Sequence, residues 1–147
     1  MQRSTDVEDI VELANDLRAV VLRLARHLRS EANASGVTGG QIAILVALEF
    51  NPGITAQKLA AREGLSAPGI SGHLARLEGM GLLRRERGDD SSGVGLYLTD
   101  GGRELVAAVR AQRTAWLIGR LEELSADERL RIRASLAPFD RVSMGDR

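Results

Sequence analysis

The sequence predicts a mainly α fold carrying one small β-hairpin. Three observations predict it. Apolar residues recur at helical spacing in two long stretches, one near each end of the chain. Between them, Thr55 to Thr99 parses as short helix, turn, second helix and Gly-rich hairpin. Within that hairpin Val94, Leu96 and Leu98 alternate as a half-buried strand does.

The first stretch runs from Asp6 to Ser30. Val7, Ile10, Ala14, Leu17, Val21, Leu24 and Leu28 recur in steps of three and four, the pattern of a helix packed lengthwise on other helices. Such a stripe is buried within its own chain or shared with a second subunit, and periodicity does not separate the two. Asn33 to Val37 reads as a polar turn containing Gly36. Thr38 can cap the next helix, whose Ile42, Leu45, Val46 and Leu48 point to the core. Asn51-Pro52-Gly53 ends it, because proline disfavours a preceding helical residue.

A short helix follows from Thr55 to about Arg62, with Leu59 and Ala60 facing inward and Gly64 at its exit. Ser66 then caps a second helix with Pro68 in its first turn, where a missing N–H costs nothing. Ile70, Leu74 and Leu77 form its apolar stripe. Its other face shows Ala67, Pro68, Ser71, Gly72 and Ala75, small and uncharged. Gly79 and Gly81 end the helix, Arg84, Arg85 and Arg87 follow, and Gly88 to Gly93 form a turn without an apolar anchor. That tip is expected to be mobile in the free molecule.

A second long helix begins at Thr99 or Asp100. Leu105, Val109, Gln112 and Trp116 line one stripe, continued by Leu117, Leu121 and Leu124. Ser125 to Glu128 is a capping box that opens a last helix through Leu130, Ile132 and Leu136. It is expected to stop before Pro138, with a frayed tail from Asp140.

A chain of 147 residues, 44% hydrophobic and 27% charged, suits one globular domain. No apolar run spans a bilayer and no signal-peptide pattern opens the chain, so the expectation is a cytoplasmic protein that does not enter membranes. Cysteine is absent, which excludes disulfides and thiol chemistry. His27 and His73 stand on different segments without a spaced carboxylate cluster, so neither catalysis nor a metal site is expected. No P-loop or dinucleotide fingerprint appears, and no cofactor is expected. Net charge is zero. The expected basic stripe is therefore local, made of Arg76, Arg84, Arg85 and Arg87 and diluted by Glu78, Glu86, Asp89 and Asp90. Lys58 is the sole lysine.

TAQKLAAREGLS, the helix SAPGISGHLARLE, GMGLLRR and the hairpin closing on LYLTDGG resemble the winged helix-turn-helix of the MarR family of bacterial transcription regulators. TGGQIAILVAL before them and the long terminal helix after them extend the resemblance over nearly the whole chain. It implies a winged helix-turn-helix with long N- and C-terminal dimerisation helices, over 6–30 and 101–137, around a DNA-binding lobe over 38–99. It implies a homodimer that binds double-stranded DNA at a pseudo-palindromic operator, a ligand-responsive repressor with a small-molecule effector. The lack of cysteine rules out the cysteine-based peroxide sensing of some members.

In a helix-turn-helix the second helix enters the major groove and reads bases near its N-terminus. Those positions are Ser66, Ala67, Pro68, Gly69, Ser71 and Gly72. Serine hydroxyls serve base edges or phosphates, and Ala67 and Pro68 offer apolar contact. His73 touches a phosphate or packs at the rim. Arg76 contacts a phosphate or pairs with nearby acids. Arg84, Arg85 and Arg87 hold phosphates from the hairpin base or form a solvated strand face. Two departures stand out. Many family members carry Arg at the position of Gly72, and many carry Asp-x-Arg at the hairpin tip where this chain has Asp90-Ser91-Ser92. These departures support a rival reading, an interaction module on a winged-helix fold that has lost DNA binding. Trp116 and Phe50 either line an effector pocket or are plain core residues.

Overall fold

The computed structural model describes residues 2–30, 36–87 and 93–144. Six helices and three strands follow in the order α1 (Gln2–Ser30), α2 (Gly39–Phe50), β1 (Ile54–Thr55), α3 (Ala56–Glu63), α4 (Ala67–Gly79), β2 (Leu83–Arg87), β3 (Val94–Leu98), α5 (Asp100–Glu122) and α6 (Ala126–Ser143). The chain divides into two compact units, Met1–Gln112 and Arg113–Arg147.

Side chains that reach back to the backbone start four of the helices. Thr38 accepts from the Gln41 N–H while the Gln41 side chain accepts from the Thr38 N–H, a reciprocal box that makes Gln41 a satisfied polar residue although it is buried. Thr55 caps α3 and Ser66 caps α4, each by accepting an N–H three residues on. Ser125 and Glu128 form the box expected at the start of α6. Gly64 ends α3 at φ 65, in the left-handed region.

Leu45, Leu48, Leu59, Ile70, Leu74, Leu77 and Leu96 meet in one core from which water is excluded. The expected inward faces of α3 and α4 are the observed ones. In α2 the buried set also includes Ile44 and Ala47, while Val46 is only half-buried. In the first part of α5, the expected Val109 is buried and the expected Leu105 packs half-buried against the core, while Gly102 and Val106 are buried beside them. At Gly102 the α5 backbone comes close to the Leu82 carbonyl just before β2.

The hairpin strands pair antiparallel with Leu83 opposite Leu98 and Arg85 opposite Leu96. A third strand was not expected. Ile54 and Thr55 pair with Leu96 and Gly95, so the sheet order is β1-β3-β2. Two residues carry no periodicity, and β1 exists only because β3 offers it an edge. The hairpin tip over 88–92, with the expectation of its mobility, lies outside the described residues, as does the 33–35 part of the polar turn.

Three expectations are corrected. The last helix does not stop before Pro138 but continues through it to Ser143. Proline removes one backbone hydrogen bond without ending the helix, although Leu136, Phe139 and Val142 around it are exposed. The tail from Asp140 is accordingly helical as far as Ser143. Phe50 is not a core residue, since it is 72% exposed at the end of α2, and Trp116 is only partly covered. Of the two readings that periodicity leaves open for the α1 stripe, burial within its own chain is not the observed one, with Val7 59%, Ile10 65% and Val21 48% exposed.

Candidate nucleic-acid interface

The tertiary arrangement sorts α4 into two faces. Ile70, Leu74 and Leu77 are sunk in the core, at 2% exposure or less. Ser66, Ala67, Pro68, Gly69, Ser71, Gly72 and Arg76 are all exposed, and His73 is half-buried at the boundary. The outward face near the helix start is therefore small, uncharged and free of large side chains, as a helix that must approach another surface closely requires. The Ser66 hydroxyl accepts from the Gly69 N–H at 3.2 Å, which leaves its O–H to donate outward. The Ser71 hydroxyl and the Arg76 guanidinium make no hydrogen bond among the described residues.

A side chain at position 72 would meet nothing within 4 Å. Glycine is not needed there by packing, and a helical position without need for glycine is less stable than with alanine by roughly 0.5–1 kcal/mol. Gly72→Ala should raise stability by about that amount in a denaturant titration. A loss of stability would mean that an unseen neighbour occupies that space.

The hairpin arginines are distributed differently from a free basic stripe. Arg84 pairs with Glu86 on the same strand face, and its guanidinium lies 5.1 Å from the centre of the Tyr97 ring. Arg85 points to the other face, where its Nε donates to Glu78 of α4 at 3.0 Å. Arg87 has no ion pair among the described residues. Glu78 thus ties the hairpin to α4. Sequence reading treats Glu78 only as diluting charge, because seven residues separate it from Arg85 and only the α4–β2 packing brings them together. It also misses Tyr97 as a platform for Arg84, a pairing set by strand register. No cluster of three metal-ligating side chains occurs among the described residues.

The MarR family signature matches residues 35–91, which span α2, the helix-turn-helix and the hairpin up to its tip. An HTH-type transcriptional regulator of Mycobacterium leprae is 37% identical over 118 residues, covering 80% of this chain and 82% of its own. The chain belongs to the MarR family. A Pseudomonas aeruginosa protein described as a transcriptional regulator superposes with a TM-score of 0.84 at 28% identity, over 95% of this chain and 99% of that one. A Staphylococcus aureus MepR variant bound to an oligodeoxyribonucleotide shares the fold, with a TM-score of 0.68 at 20% identity over 88% of this chain and 96% of its own. This MarR-family protein is a DNA-binding transcription regulator with a winged helix-turn-helix fold. Among its described residues no helix is long and apolar enough to cross a membrane.

Proposed function

We propose that this MarR-family regulator is a cytoplasmic, ligand-responsive repressor that binds a pseudo-palindromic operator as a homodimer. The observation that carries the reading is the two-faced α4, anchored by Ile70, Leu74 and Leu77 and bare of bulk and charge along its outward start. In the groove, Ser66 and Ser71 donate to base edges or phosphates, Ala67, Pro68, Gly69 and Gly72 permit close approach, and His73 and Arg76 meet the flanking phosphates. Arg87 contacts a phosphate directly. Arg84 and Arg85 do so only by sharing their charge with Glu86 and Glu78. The likeness in fold to the DNA-bound MepR variant fits this placement.

Dimerisation is supported by apolar surface left uncovered in each unit. In the first unit α1 exposes Val7, Ile10, Val11, Leu13 and Val20. In the second, α6 buries no residue and exposes Leu130, Leu136, Phe139 and Val142. Apolar surface of that extent marks an interaction site. On this reading 6–30 and 101–137 join two copies, and 38–99 of each copy meets DNA. A dimer presents two α4 helices to half-sites about one DNA turn apart. An effector that binds better to a different α4 spacing would lower operator affinity by the same coupling free energy.

The test is a titration of operator and scrambled duplex at several salt concentrations. Arg76→Ala should weaken both duplexes alike and make the salt dependence shallower by about 0.9 per bound subunit. Ser71→Ala should act on the operator, costing up to about 1–3 kcal/mol at one base pair. Equal weakening of both duplexes by Ser71→Ala would make it a backbone contact. The rival interaction module is favoured by one observation, the pairing of Arg84 and Arg85 with acids of their own chain. It predicts no salt-dependent binding to either duplex.

A further inference from the structure

Beside the root of the hairpin, three separate pieces of chain close on a small hollow of about 160 Å³. The turn before β1 contributes Gly53, the start of α3 contributes Thr55 and Lys58, and β3 with its approach contributes Gly93, Gly95 and Tyr97. Glycine lets the walls of the hollow approach this closely. A Cβ at position 95 would lie 3.1 Å from the Gly53 backbone, and one at position 53 would lie 2.8 Å from the Tyr97 hydroxyl. Gly53 also holds φ 83, which an L side chain rarely adopts.

The polar groups around the hollow are donors. Lys58 is exposed and has no ion pair among the described residues. The Thr55 hydroxyl accepts from the Lys58 N–H at 3.4 Å, so its own proton is free to point outward. The Tyr97 hydroxyl makes no hydrogen bond among the described residues, while its ring is fixed against Arg84. Among the described residues no carboxylate lines the hollow. An ammonium and two hydroxyls without an acid match an oxyanion.

We propose that this hollow grips a phosphate of the DNA backbone, with Lys58, Thr55 and Tyr97 as its donors. The proposal rests on the reading of α4 as the groove helix and adds the residues that set its register. In a helix-turn-helix the first helix crosses the backbone while the second lies in the groove. Here α3 is that first helix, and Lys58 stands in its first turn. The hollow also adjoins Gly93, where the chain returns from the hairpin tip. Among the described residues of 38–99, only Lys58, Arg76 and Arg87 are cations whose side chains carry neither an ion pair nor a hydrogen bond. Lys58 therefore supplies, from α3, a phosphate charge that Arg84 and Arg85 spend on Glu86 and Glu78.

The experiment is fluorescence anisotropy with a duplex selected by the protein from a random pool and with a scrambled duplex, from low to moderate salt. Lys58→Ala should weaken both by about eightfold per bound subunit at 0.1 M salt, the factor for one released counterion, and should make the salt dependence shallower by about 0.9. Lys58→Arg should restore the slope. Tyr97→Phe, which keeps the ring over Arg84, should weaken both by about tenfold with the slope unchanged, since a hydroxyl releases no counterion. Thermal melting of each variant should match the wild type. Lys58→Ala with wild-type affinity and slope would overturn the proposal while leaving the groove helix untouched. Competition by inorganic phosphate without any effect of Lys58→Ala on DNA would overturn it in favour of a small-anion site. A wild type that bound neither duplex would remove the groove-helix reading itself, and this proposal with it.

Discussion

Gly102→Ala should destabilise the fold by about 3 kcal/mol, more than a typical core substitution. A Cβ at that position would sit 2.0 Å from the Leu82 carbonyl oxygen and 3.0 Å from Leu98 Cδ2. The carbonyl cannot retreat, because it already accepts the Thr99 N–H at 3.2 Å. Thr99 in turn donates its hydroxyl to the Gly81 carbonyl at 2.6 Å and accepts the Gly102 N–H at 3.0 Å. The start of α5 is thereby locked onto the entry to β2, and one methyl group would force the two apart. Gly101 is the internal control. A Cβ there would lie an ordinary 3.6 Å from the Gly81 carbonyl oxygen, so Gly101→Ala should be neutral or slightly stabilising. Urea titrations of both variants measure the contrast. Equal stability of the two would show that the α5–β2 approach is not tight.

Leu136→Glu should convert the proposed dimer to monomers and lower operator affinity by on the order of 100-fold or more. Leu136 is 58% exposed in the single chain, so a charge there costs the monomer little. Two copies packed along α6 would instead have to bury that charge unpaired, which costs several kcal/mol. Losing the dimer also loses the second half-site, which an already bound partner meets at high effective concentration. Sedimentation at low micromolar concentration should give the wild type near twice 15.8 kDa and the variant near 15.8 kDa. A wild type that sediments as a monomer would defeat the proposed assembly. A dimeric variant that still binds the operator would move the interface away from α6.

Helix starts were legible in the sequence because a cap is a local event. Thr38, Ser66 and Ser125 each satisfy an N–H three residues away, and nothing distant is needed to recognise them, while Thr55, read as the first helical residue, is in fact the cap of α3. Spacing alone likewise separated Ile70, Leu74 and Leu77 from the bare face with Ser71 and Gly72. Pro138 shows where a local rule fails. The rule that proline stops a helix predicted an end before it, yet α6 runs on to Ser143.

The candidate site was only half legible. The α4 residues could be named from helical period, but the state of the arginines could not. Arg85 meets Glu78 because β2 packs on α4, and Arg84 lies on Tyr97 because the strand register sets them opposite. The two-residue β1 and the donor-lined hollow around Lys58 arise the same way, from segments about forty residues apart that meet only in the sheet. The order of elements, the helix caps and the inner face of α4 thus follow from short-range hydrogen bonding and periodicity, which the chain carries residue by residue. Which cations are left free, which glycines must stay glycine and which apolar stripe is left uncovered were decided in three dimensions. Each depends on a distance between groups that no sequence spacing encodes.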